Sequence, residues 1–164
     1  MKLFKVAALA AAALAVSFSI NTGALAHDGE HDEGPFSTPE PAVTEIKAVL
    51  TGYAAEVAKS NIEGMAGYVI QSDDFSIIEG SHANWGWADY RANHLGPEFE
   101  SDKFKITDYS YSDIRVSVSG EVAYATYNSR IEYIYDGVAK AKDGMGTVVL
   151  VKTKEGWRIR HMQS

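Results

Sequence analysis

The sequence predicts an α+β fold, a cone in which a curved antiparallel sheet wraps around amino-terminal helices. Apolar residues recur every three or four positions in the first part of the chain and every second position after Lys105, so helices come first and strands follow. The turn pairs Ser119-Gly120, Asp136-Gly137 and Glu155-Gly156 divide the second part into four long stretches at hairpin spacing. Strands of that length curl into a half-barrel only around an apolar filler, and the helices supply it.

Composition sets outer limits. The chain has 164 residues, 46% hydrophobic and 23% charged, as in a globular domain of ordinary size. Fifteen Lys and Arg against 22 Asp and Glu give −7, which becomes −9 when Lys2 and Lys5 leave with a cleaved leader. A nucleic-acid or anionic-membrane binder carries the opposite sign. Without Cys, disulfides, thiolate nucleophiles, zinc ribbons and iron–sulfur clusters are excluded.

Residues 1–26 read as a signal peptide: Lys2 and Lys5, an apolar run from Val6 to Val16, and the cleavage pattern Ala24-Leu25-Ala26. Ser17, Ser19, Asn21 and Thr22 interrupt the run short of the roughly 20 apolar residues that span a membrane. The expected product is periplasmic or secreted, with no membrane anchor. Residues 27–40 read as an acidic, flexible leader. Its His27 and His31 among four carboxylates offer a divalent-metal trap, although a solvated tail is the simpler reading.

The folded domain is expected over residues 41–164. Val43, Ile46, Val49, Leu50, Tyr53 and Val57 form the apolar stripe of a helix that Ser37 or Thr38 caps and Ser60-Asn61 ends. A shorter helical stretch runs through Met65 to Val69, and Phe75 to Glu79 is a short strand stopped by Gly80. Asn84 to Glu98 is a second strong helix, broken near its end by Gly96-Pro97. Lys105–Val118, Glu121–Tyr135, Val138–Lys152 and Gly156–Gln163 are the four strands. Gly144-Met145-Gly146 marks a place where backbone must be approached closely.

This element order, with Asp74-Phe75, Ile77-Ile78-Glu79-Gly80, Trp87-Ala88-Asp89-Tyr90-Arg91, His94-Leu95-Gly96-Pro97-Glu98, Gly146 to Lys152, Gly156-Trp157-Arg158-Ile159 and His161, resembles a known family. It is similar to the SnoaL-like branch of exported bacterial proteins in the nuclear transport factor 2-like superfamily, over about residues 42–164. The resemblance implies an internal conical cavity, homodimerisation through the outer sheet face, and functions ranging from ketosteroid isomerases and dehydratases to non-catalytic ligand binders. It also implies a second imidazole before Leu-Gly-Pro-Glu and another near the end; here Asn93 and Gln163 stand at those places, which weakens any role needing both imidazoles.

On a regular helix, Trp87, His94 and Glu98 fall within a narrow arc flanked by Tyr90 and Arg91, a mixture that suits a partly wet cavity wall. On the last strand Trp157, Ile159, His161 and Gln163 alternate onto one side, taken as inward. Tyr124, Thr126, Asn128 and Glu132 share one face of their strand and Tyr127, Ile131 and Tyr133 the other; periodicity leaves open which looks inward. The expected pocket holds a small molecule through Trp87, Arg91, Tyr124, Asn128 and Trp157. The sequence leaves open whether the pocket also catalyses; as an isomerase or lyase its parts for proton transfer are His94 or His161 as base, Glu98 as orienter or acid, and Tyr90 or Tyr124 as donor to an oxyanion. Nothing in the pattern asks for a cofactor. His94, Glu98 and His161 also make a two-His, one-carboxylate set able to hold a metal. Alternatively His94 and Glu98 pair with each other, Arg91 or Arg130 in a structural network.

Overall fold

A computed structural model describes residues 34–164; the expected signal peptide and the first part of the acidic leader lie outside the described residues. The remainder of that leader is anchored. Ser37 and Val118 exchange two backbone hydrogen bonds of 2.8 and 2.7 Å, and Phe36 sets its ring edge-on to Tyr124. Ser37 is thereby engaged with the sheet and Thr38 makes no cap. Pro39 holds the N-cap position of α1 (Glu40–Ala58) without a side-chain bond, and Pro41 occupies the first turn, where its missing N–H costs nothing. Val43, Ile46, Leu50, Tyr53 and Val57 are buried, as their spacing requires.

Asn61 caps α2 (Ile62–Ala66) by accepting from Gly64 N–H at 3.2 Å. The helix ends before Val69, which instead bridges to Ile159 in parallel. β1 (Ser76–Glu79) turns at Gly80, where φ is 59°, into β2 (His82–Trp85). The sequence places Asn84 at a helix start; in the fold it pairs with Ile77 as strand, and Gly86, at φ 90°, makes the change of direction.

The helical segment then runs over residues 87–99 in three parts: α3 (Trp87–Tyr90), a π turn (Arg91–Leu95) and α4 (Gly96–Phe99). Gly96-Pro97 does not break it. Pro97 cannot donate to the carbonyl one α-turn back, and the backbone absorbs this by widening, with Gly96 N–H bonded to Arg91 O five residues earlier.

β3 (Phe104–Ser119), β4 (Val122–Tyr135), β5 (Val138–Thr153) and β6 (Gly156–Gln163) form the antiparallel meander. The sheet order is β2-β1-β6-β5-β4-β3, with β1 lying parallel to β6. Register shifts in β3 between Ile106 and Asp108 and between Ser112 and Arg115 bend the longest strands, and α1 packs against β3 on the concave side. Phe75, Ile46, Leu50, Met65, Leu150 and Ile159 are fully buried between helices and sheet.

Close backbone approach is real at Gly146. A Cβ there would meet Tyr127 Cζ and hydroxyl at 2.5 Å and the Gln163 carbonyl at 2.8 Å. The carbonyl belongs to backbone and cannot swing aside. Gly146→Ala is therefore expected to destabilise by about 1–3 kcal/mol, the range for overpacking a filled interior, with chemical denaturation as the readout. An unchanged midpoint would mean that the sheet yields freely there.

Candidate functional site

Between α1, the 87–99 segment and the concave sheet lies a cavity of about 70 Å³. Five phenols surround it: Tyr53 from α1, Tyr90 from α3, Tyr109 and Tyr111 from β3, and Tyr127 from β4. Ile77, Leu95, Ile106 and Met162 fill the wall between them, and Glu79, His94 and Glu98 contribute the charged groups. Tyr90, His94 and Glu98 reach it in four-residue steps through the π turn.

His94 Nε2 sits 3.1 Å from Glu98 Oε2 and 3.2 Å from Glu79 Oε2. The imidazole thus bridges the helical segment to the end of β1. Glu79 Oε2 is shielded from solvent and has no hydrogen-bond partner among the described residues; its contact with His94 is Coulombic rather than a directed bond. Burial pushes the Glu79 carboxyl above the usual carboxylate range, the nearby Glu98 charge adds to this, and His94 opposes it. The Glu98 hydrogen bond raises the His94 imidazole, partial burial opposes the rise, and the Glu79 and Glu98 charges reinforce it.

Burial also raises all five phenols, which stay protonated and act as donors. Tyr109 and Tyr111 hydroxyls stand 3.3 Å apart, and the Tyr111 and Tyr127 ring centres lie 4.1 Å apart.

The shifts fix a pH dependence. Both His94 and Glu79 bind a proton more tightly folded than unfolded. Their contributions to stability are therefore fully present below the unfolded values, 6.5 for the imidazole and 4.5 for the carboxyl, and are lost as pH rises through the folded ones. Thermal midpoints of the wild type should fall as pH rises past 6.5, and less steeply in His94→Gln. Parallel curves for the two proteins would contradict the bridging geometry.

The structure sorts the sequence-derived candidates. His94, Glu98 and Tyr90 line the cavity. His161 does not. Val149 pairs with His161 and Leu150 with Ile159, so Arg160 is an extra residue, a bulge that reverses the alternation and turns Met162 inward. His161 lies on the outer face, its Nδ1 2.9 Å from Ser76 Oγ. The metal set His94, Glu98 and His161 is thereby divided between two faces. Among the described residues no group of three or more His, Asp or Glu is arranged to hold a metal ion.

Tyr124 and Asn128 are exposed on the outer face, because Tyr127 takes the inward register. Trp87 and Trp157 are buried in the core and do not line the cavity; Trp87 packs edge-on against Phe75. Arg91 points outward and pairs with Glu63, and Arg130 pairs with Glu132 and Asp143, so neither joins the His94–Glu98 network.

Glu79 and four of the five phenols, Tyr53, Tyr109, Tyr111 and Tyr127, are lining residues that escaped the sequence reading. A signal for Glu79 existed. It follows the inward Ile77 by two positions, so strand alternation carries its carboxylate to the same side.

The profile of the SnoaL-like domain matches residues 46–164, nearly all of the described part. The chain belongs to the SnoaL-like family. Solved structures confirm the fold at low identity. A nuclear transport factor 2-like superfamily protein from Salmonella enterica aligns with TM-score 0.67 and 20% identity over 75% of this chain and 89% of that one. A ketosteroid isomerase-like protein from Erwinia carotovora atroseptica gives 0.63 and 16% over 76% and 95%. A nuclear transport factor 2-like protein with a cystatin-like fold from Novosphingobium aromaticivorans gives 0.59 and 15% over 75% and 80%. Comparison with curated proteins finds no match. In this SnoaL-like domain the open, six-stranded sheet and the amino-terminal helices are those of the superfamily, and the phenol-lined cavity occupies the interior of the cone.

Proposed function

We propose that this SnoaL-like protein is exported, binds a small, partly apolar molecule in the phenol-lined cavity, and moves a proton on it without a cofactor, as an isomerase or lyase does. The observation that carries the reading is Glu79: a shielded carboxylate oxygen with no hydrogen-bond donor, beside an imidazole and facing five neutral phenols. A carboxylate in that setting holds its proton more tightly than in water, the direction in which a general base is tuned. His94 supports its ionised form and offers a second proton site. The phenols are positioned to donate to an oxygen on which charge develops. A relative bearing the name ketosteroid isomerase-like lends the chemistry a precedent within the fold.

The test is deuterium exchange at the α-carbons of cyclohexanone in heavy water, followed by proton NMR. Acceleration by the wild-type protein supports proton transfer. Saturable ligand line-broadening without exchange supports the second reading, a non-catalytic binder using the same cavity. Absence of both overturns the proposal.

The same reading includes cleavage after Ala26, delivery to the periplasm or medium, and pairing of two copies through the outer sheet face. That face exposes Trp85, Val122 and Tyr124. Mass spectrometry of protein recovered from its host and light scattering check these points; a retained leader or a strict monomer would remove them.

A further inference from the structure

The cavity continues past Glu79. A second groove of about 390 Å³ leads outward from it, and Glu79, Tyr109, Ile131 and Ser164 border both spaces. The outer groove has a different chemistry. Phe104 and Tyr133, with ring centres 5.2 Å apart, form an aromatic shelf beside Ile131. Lys142 and Asp143 at its edge carry opposite charges.

Volume separates the roles of the two spaces. A dry protein cavity of roughly 150 Å³ accommodates one benzene, so the inner 70 Å³ admits only a small group and leaves the body of a ligand in the groove. Charge narrows the small group further. Glu79 and Glu98 stand beside the cavity and repel an anion, whereas the neutral phenols reward a hydrogen-bonding oxygen.

Resting on the proton-transfer reading above, we propose that the ligand is an uncharged amphiphile that inserts one carbonyl or hydroxyl head among the phenols and lays a hydrocarbon tail along the Phe104–Tyr133 shelf. Phe104 and Tyr133 then determine specificity, and neither is a catalytic residue. The preference is for tail length: each methylene that leaves water for the shelf strengthens binding about fourfold, until the groove is full.

Calorimetric titration of the wild-type protein with phenol, 4-ethylphenol, 4-butylphenol and 4-hexylphenol tests this. Affinity is expected to climb with the tail. Tyr133→Ser should flatten the climb, costing 4-butylphenol about tenfold in affinity and phenol, whose ring reaches only the start of the shelf, markedly less, and Tyr133→Phe should restore it. Binding of all four with one affinity, or a Tyr133→Ser loss shared equally by phenol, overturns the two-compartment ligand while leaving the inner site intact. If none of the series binds, the inner site itself fails, and this inference with it.

Discussion

Glu79→Gln is expected to lower turnover by about 10²–10⁴-fold, the usual contribution of a positioned general base, without lowering stability. The substitution keeps the shape of the side chain and removes its charge. Burial is the largest influence on Glu79 and raises its carboxyl above the ordinary range, so ionising it costs more in the folded chain than in water. A neutral amide at that position is thus tolerated as well as the carboxylate, or better, and the melting midpoint above neutral pH should hold or rise. The pairing of lost activity with retained stability separates a proton-transfer role from a structural one. A variant that unfolds early would place Glu79 in the scaffold, and one that keeps full turnover would remove it from the chemistry.

Phe75→Ala is expected to cost about 3–5 kcal/mol of stability, as a deleted buried aromatic ring does. Phe75 is fully buried and touches the Trp87 and Tyr90 rings, with centres 5.8 and 5.9 Å away. It sits immediately before β1, which carries Glu79, and supports α3, which leads to His94. Its removal should loosen the join between the two halves of the charged cluster. Urea denaturation gives the stability, and the mutant's weakened response of midpoint to pH, compared with wild type, reports the loosened His94 contacts. A cost below about 1 kcal/mol would mean that neighbouring rings collapse into the space.

The fold was legible because period and punctuation agree. The shift from three-and-four spacing to alternation, with a glycine turn after each long stretch, leaves little freedom in element order, and α1 and β3–β6 fall within a few residues of their expected limits. The departures arise where local signals compete with pairing. β2 carries no strand pattern of its own and exists through its ladder with β1. The Pro97 signal for a helix break is overridden by a π turn.

At the site, alternation along β1 puts Glu79 on the side of Ile77, a step the sequence reading does not take, and on β6 alternation fails, because one extra residue at Arg160 inverts every side chain after it. Nothing in Arg158-Ile159-Arg160-His161 announces that bulge. His161 was consequently expected inside, where Met162 lies. The choice between Tyr124 and Tyr127 as the inward residue depended on Gly146, whose missing side chain makes room for the Tyr127 ring. Only pairing across β4 and β5 brings those two together.

The central claim is that one oxygen of the Glu79 carboxyl, Oε2, faces the phenol cavity, shielded from water and open to whatever enters. Carbon-13 NMR of glutamate-labelled protein, with the Glu79 carboxyl assigned by comparison with Glu79→Gln and titrated with and without 4-ethylphenol, tests it directly. The account predicts a midpoint above 4.5, the ordinary value, and a displacement of that resonance on adding the phenol. An ordinary carboxylate titration that ignores the phenol would contradict it.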